Sequence, residues 1–191
     1  MDRFEYAIGL MSIIVGLGLA DLAMSLHRLL KHRAQVRWDG LAIATAAYAA
    51  YTLIRMWYAL WTVREVAGLT NLYFYISLIL EMFLLFLAAA AALPDDSDPA
   101  HERWDLRAYH EHHARYIWTL FALFQVSFLG HLVYFVHSSG SAGMPAWVWA
   151  LAFVPLAIFG ALLAVRSRRM QAILLGTVFA LELMLGWSTG L

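Results

Sequence analysis

Six apolar runs, each close to bilayer length, occupy this chain almost from end to end, at about residues 5–27, 40–62, 70–93, 114–137, 145–165 and 170–188. A helix that rises 1.5 Å per residue needs roughly 20 such residues to cross the hydrocarbon core. In a chain of 191 residues, six spans leave room only for short connections. The hydrophobic share is 63%, against roughly 45–50% in ordinary globular domains. The expected fold class is therefore all-α, a polytopic integral membrane bundle of about six transmembrane helices forming one domain over residues 1–191.

The breaks between runs read as tight turns at the membrane surface. Trp38-Asp39-Gly40, the stretch from Arg64 to Gly68, the Ser- and Gly-rich stretch 138–143 and Arg166-Ser167-Arg168-Arg169 all interrupt the apolar pattern. The longest connection, about 94–113, is expected to be an interfacial segment feeding the fourth span, with Asp98 as helix N-cap and Pro99 as first helical residue. Basic residues fall unevenly across the loops. Arg28, Lys31, Arg33 and Arg37, then Arg103, Arg107 and Arg115, then Arg166, Arg168 and Arg169 follow spans one, three and five. Arg3 and Arg64 stand alone on the opposite side, and Arg55 lies within span two. Cytoplasmic loops retain Lys and Arg, so both termini are expected outside the cytoplasm. Trp57, Tyr58, Trp61, Trp147, Trp149 and Trp187 cluster near the outer ends, where amphipathic rings favour the headgroup level.

Several function classes drop out. The chain has no cysteine, which removes disulfides, thiolate nucleophiles, Cys-ligated zinc and iron–sulfur clusters. Thirteen basic residues balance thirteen acidic ones without a basic block, so nucleic acid is not an expected partner. The acidic mixture at the start and the length of the first run argue for a retained helix rather than a signal peptide. Gly16-Leu17-Gly18 lacks the third glycine and the strand of a dinucleotide site, and no nucleophile elbow or P-loop is present. The sequence therefore points to no enzyme and no cofactor.

What remains is a set of ionisable residues at membrane depth: Asp21, Arg55, Glu81, His131 and Glu182. A charge at the centre of a spanning helix costs roughly 2.5–3.5 kcal/mol on insertion scales, so these groups must be paired, protonated or hydrated. Glu81 and Glu182 sit nearest the middle of their spans. Tyr73, Ser77 and Glu81 share one face of span three. Tyr48, Tyr51, Thr52 and Arg55 align on span two, and Ser127, His131 and Tyr134 on span four, so a polar seam is expected inside the bundle. Ser12, Gly16 and Ala20 form a small-residue face on span one suited to close helix contact.

This seam admits two readings. In one, Arg55 pairs with Glu81 or Asp21 as a structural bridge, and Glu182 is protonated in apolar surroundings. In the other, three acids against one arginine leave surplus negative capacity for a proton or small cation. The likeness of Ile79-Leu80-Glu81-Met82-Phe83-Leu84 to Ala180-Leu181-Glu182-Leu183-Met184-Leu185 suggests an inverted repeat of spans one to three in four to six, an arrangement that favours transport. His110 and His113 share a helical face and are candidate metal ligands, although Ala114 stands where a metalloprotease helix would carry its second histidine.

The stretch from Phe4-Glu5-Tyr6 through Gly16-Leu17-Gly18-Leu19-Ala20-Asp21-Leu22 to His27-Arg28-Leu29-Leu30 and Val36-Arg37-Trp38 resembles a group of small, uncharacterised bacterial polytopic inner-membrane proteins. The resemblance spans roughly the first third of the chain and implies a multi-pass protein of the bacterial inner membrane; it implies no activity. The expected function is a proton or small-cation channel or transporter. The alternative is a non-catalytic scaffold or sensor whose cytoplasmic histidine loop meets a partner, lipid or metal. Membrane lipids and further copies of the chain are the expected partners.

Overall fold

The computed structural model describes residues 3–62, 72–95, 104–138 and 145–188. Within them lie six α-helices: α1 (Arg3–Lys31), α2 (Gly40–Thr62), α3 (Leu72–Ala92), α4 (Leu106–Ser138), α5 (Ala146–Ala164) and α6 (Arg168–Ser188). A short 3₁₀ turn, Arg33–Gln35, follows α1 and leads into β1 (Val36–Arg37), which pairs in parallel with β2 (Trp104–Asp105). The fold is all-α apart from this two-residue ladder.

Three of the described helices contain stretches long and apolar enough to cross a membrane: Ile8–Lys31, Phe74–Ala92 and Leu106–Tyr134. Val148–Ala164 in α5 is apolar but shorter. The outer surface is unlike a soluble protein's, and several polar groups lie within the apolar interior. Large apolar groups face outward, among them Ile13, Leu17, Ile173 and Met184, the last 72% exposed, while Glu81, Glu182, Thr45 and Thr52 are buried. Apolar surface on this scale needs a cover, and the buried polar groups need internal partners. The chain is thus built for association with a membrane.

Side-chain pairs fix the relative directions of the helices. Trp57 near the end of α2 donates through Nε1 to Ser12 near the start of α1 at 2.8 Å. Ser77 in the first third of α3 meets His131 in the last third of α4, and the later parts of α2 and α6 meet through Arg55 and Glu182. At the opposite end, Ser25 of α1 reaches Asp95 just beyond α3, and Thr45 of α2 reaches His110 of α4. Helices α1 to α4 therefore run alternately up and down, with α6 parallel to α2.

Helix α3 is central, packed on α1, α2 and α4, while α5 lies between α4 and α6. The apolar core carries Tyr48, Leu53, Met82, Trp118, Phe121 and Phe159, each at most 1% exposed. Tyr48 sits amid the rings of Phe121, Phe159 and Phe179, with centroids 5.1–5.9 Å away. In lipid the gain from such contacts is chiefly dispersion, since tails outside are as apolar as the core. Gly18 lies tight against its neighbours: a Cβ there would stand 3.0 Å from Leu53 and 3.4 Å from the Phe86 ring. The Ser12-Gly16-Ala20 face does not play that part: Gly16 and Ala20 are exposed, and a Cβ on Gly16 would meet nothing within 4 Å.

The connection before the fourth span also departs from expectation. The first eight residues of α4, which the sequence assigns to an interfacial segment, continue into the span as one helix from Leu106. Asp105 caps it, accepting from the N–H groups of Arg107 and Ala108 at 2.9 and 3.1 Å. The expected cap at Asp98 and Pro99 lies outside the described residues. Asp39 caps α2 in the same way, accepting from the Ala42 N–H at 2.9 Å.

Candidate functional site

The buried acids separate into two networks on different helix pairs. In the first, Glu81 sits near the midpoint of α3 with no exposed surface. Its Oε1 lies 2.6 Å from Nδ1 of His131 on α4. The other imidazole nitrogen, Nε2, lies 2.6 Å from the Ser77 hydroxyl, one helical turn before Glu81. Ser77 in turn donates to the Phe74 carbonyl at 2.8 Å. The Phe74 ring meets the imidazole edge-on at 4.8 Å and closes one side. Glu81 Oε2 is buried and has no partner among the described residues.

Counting donors defines what this chain of groups can do. A hydroxyl has one proton. While Ser77 gives it to Phe74, Nε2 of His131 must carry a proton and donate to Ser77. A second proton then lies between Nδ1 and Glu81, as a neutral acid beside imidazole or as carboxylate beside imidazolium. Both forms leave the pair neutral overall. If the Ser77 hydroxyl turns to donate into Nε2, the imidazole keeps only its Nδ1 proton, and Glu81 is a carboxylate. The two arrangements differ by one proton, with Ser77 as the rotor between them.

The second network is different in kind. Glu182 on α6 is 3% exposed, and its Oε1 lies 3.5 Å from the Arg55 guanidinium on α2. The Tyr51 hydroxyl donates to the Glu182 backbone carbonyl at 3.1 Å, and the buried Tyr48 hydroxyl lies beside the same carboxyl. Arginine does not release its proton in proteins, so here the carboxyl stands beside a fixed positive charge. Glu182 Oε2 and Arg55 Nε find no partner among the described residues, so the pair is imperfectly satisfied.

Placement of the sequence candidates is therefore uneven. Arg55 pairs with Glu182, correcting its expected pairing with Glu81 or Asp21, and Glu182 has a cationic neighbour rather than a wholly apolar one. Asp21 belongs to neither network; it lies toward the other end of the bundle, beside Asp95 and Arg28. Ser77, Glu81 and His131 come together. Tyr134 is 40% exposed, with its ring 5.3 Å from Phe74, at the edge of the first network. Ser127 is half-buried on α4, one helical turn before His131, and among the described residues Glu81 is bonded by His131 rather than by Ser127. The Tyr73 side chain lies outside the described residues. The suggested repeat does not extend to partners, since Glu81 uses a histidine of α4 and Glu182 an arginine of α2.

The candidate metal pair separates too. His110 is fully buried against Thr45, 3.2 Å away, and faces the Trp118 ring. His113 donates through Nδ1 to the Tyr109 carbonyl at 2.9 Å and stacks on the Tyr109 ring. Among the described residues no three His, Asp or Glu side chains are grouped to hold a metal ion.

A third polar cluster, which the sequence did not single out, joins the starts of α2, α4 and α6. Arg168 bridges Asp39 and Glu111, the latter at 3.1 Å, while Glu111 also accepts from Arg107 at 3.0 Å. Arg37 pairs with Asp105 at 3.0 Å beside the strand ladder. Burial would raise the Asp39 carboxyl, but the Ala42 N–H and the Arg168 guanidinium outweigh it and hold it below the usual carboxylate range. The Ala108 N–H, with help from Arg37, lowers Asp105 similarly. The available signal was the pairing of Asp39 before an apolar run with an arginine-rich turn opening α6, but spacing alone cannot show that the two ends meet.

Compared with known proteins, the chain matches no family model, no curated protein and no solved structure.

Proposed function

We propose that this chain is a six-span protein of the bacterial inner membrane, with both termini outside the cytoplasm, that carries protons through Glu81, His131 and Ser77. The observation that carries this reading is the hydrogen-bonded chain itself: a fully buried carboxyl joined to an imidazole at 2.6 Å, and the imidazole joined to a hydroxyl at 2.6 Å. A charged group at membrane depth is costly, and a buried acid paired with a titratable base is a recurrent element of proton relays. A metal cation would demand several converging oxygens, whereas this arrangement offers one buried carboxyl with a histidine already against it.

The six-span reading draws on the second network. Among the described residues, α2 and α6 are not in the set of stretches long and apolar enough to cross a membrane, and they carry Arg55 and Glu182, which pair with each other. Pairing reduces the cost of placing both in lipid. The orientation rests on the ten basic residues that the sequence gathers after spans one, three and five.

The test is proton flux in proteoliposomes after a pH jump, comparing wild type with Glu81→Gln and Glu182→Gln at equal protein content. Loss of flux with Glu81→Gln, in a protein that still folds, supports the relay. Wild-type protein that passes no protons at any pH or membrane potential overturns it and leaves the scaffold or sensor reading. Flux that survives Glu81→Gln but not Glu182→Gln moves the path to the second network.

A further inference from the structure

Where α6 begins, it joins the end of α5 and the flank of α4 around a cavity of about 420 Å³ that is open on one side. Arg115, Arg166 and Arg168 line it together with Glu111, Trp118 and Leu162. Arg168 is already committed to Asp39 and Glu111. Arg115 and Arg166 are exposed and form no ion pair among the described residues, so the cavity keeps two uncommitted guanidinium groups.

A second observation points to a ligand rather than to solvated arginines. Trp118 is 1% exposed, and its indole Nε1 has no hydrogen-bond partner among the described residues. A buried indole N–H normally finds an acceptor. The first turn of α6 also borders this space, and the backbone N–H groups at a helix start have no acceptor within their own helix. Two guanidinium groups, a tryptophan with an unpartnered indole N–H and a helix start border one space, and an anion rich in oxygens offers acceptors suited to all three. Guanidinium forks match phosphate geometry in particular.

The surroundings narrow the anion further. Beside the arginines the wall is apolar, formed by Leu162, Leu163 and Ala114, and the cavity lies at the end of the bundle where outward-facing apolar helix surface gives way to charged turns. A ligand that places phosphate among arginines and continues as hydrocarbon along α4 and α5 fits both halves. We infer that this cavity binds the phosphate of an anionic phospholipid, in the manner of basic pockets between transmembrane helices on the cytoplasmic side. The inference rests on membrane insertion and is independent of the proton relay.

The test uses purified full-length protein in neutral detergent, with short-chain phosphatidylglycerol, phosphatidylcholine of equal chain length, and inorganic phosphate as probes. Thermal unfolding is followed with each, and retained lipid is read by native mass spectrometry. Phosphatidylglycerol is expected to raise the unfolding temperature saturably and to remain bound, with phosphatidylcholine having little effect. Arg115→Gln with Arg166→Gln should weaken phosphatidylglycerol binding by about tenfold or more, since each surface arginine contributes about 1 kcal/mol toward anionic lipid. Trp118→Phe should weaken it less. Arg166 stands in the turn between α5 and α6, so Arg166→Gln alone serves if the double variant does not fold. Equal binding of phosphatidylcholine, or wild-type affinity in the arginine variants, overturns the inference. A shift reproduced by inorganic phosphate alone also overturns it and makes free phosphate the ligand.

Discussion

Glu81 and Glu182 each stand in a Leu-Glu-x-x-Leu stretch with comparable burial, yet they face different kinds of neighbour. Glu81 meets an imidazole, which can gain or lose a proton and whose far nitrogen rests on a rotatable hydroxyl. Glu182 meets a guanidinium that keeps its charge. A buried carboxyl is thus not a function in itself. Its partner sets what it can exchange with, a group able to take up a proton in one case and a group of fixed charge in the other.

The contrast can be broken most directly at the partners. His131→Gln keeps hydrogen-bonding capacity but removes the imidazole that hands on the proton in the proposed relay, so pH-jump flux should fall to the protein-free background. Flux retained at the wild-type rate would dissolve the distinction between the two glutamates. Arg55→Gln should leave flux per folded molecule largely intact but destabilise the protein by about 3–5 kcal/mol, because Glu182 is left buried without a counter-charge. Chemical denaturation in detergent reads this loss. Adding Glu182→Gln should recover most of it, and failure to recover would show that Arg55 acts through other contacts.

Ser77→Ala sharpens the first network, removing the rotor while leaving the Glu81–His131 contact in place. Flux should drop without vanishing, and stability should change by about 1 kcal/mol, the net contribution of a single hydrogen bond. An unchanged rate would confine the relay to the acid and the imidazole. The smallest effect belongs to the charged cluster at the other end of the bundle. The Asp39 carboxyl is held below its usual range, so its contribution to stability is fully present above the unfolded value near 3.9 and is lost as pH falls through the lower folded value. Asp39→Asn keeps a helix cap but loses the Arg168 pair. It should flatten the part of the stability profile below about pH 4 and cost about 1 kcal/mol or less at neutral pH.

Much of the architecture was legible in the residues. The apolar run at 40–62 coincides with α2, the runs at 70–93 and 145–165 lie within two residues of α3 and α5, and the interruptions at 38–40 and 166–169 fall at the starts of α2 and α6. The start of α4 was less legible. His110, Glu111, His112, His113 and Arg115 break the apolar run, yet all are compatible with a helix, and the cap at Asp105 starts it well before the hydrocarbon-like stretch. The small-residue face of α1 misled for a related reason: periodicity identifies a face but not what lies opposite it. Helix rotation instead brings Gly18 against Leu53 and Phe86.

The sequence by itself determined that this chain is helical, that much of its surface is apolar, and that Glu81, His131, Arg55 and Glu182 stand within apolar segments where each needs a partner. These properties follow from composition and from the 3.6-residue repeat, which are local. Only the tertiary structure decided the partners, giving His131 to Glu81, Arg55 to Glu182 and Arg168 to Asp39. Pairing between helices depends on the order in which they pack and on their rotation about their own axes. Those are set by the sum of many weak side-chain contacts along each interface, and no single motif records them.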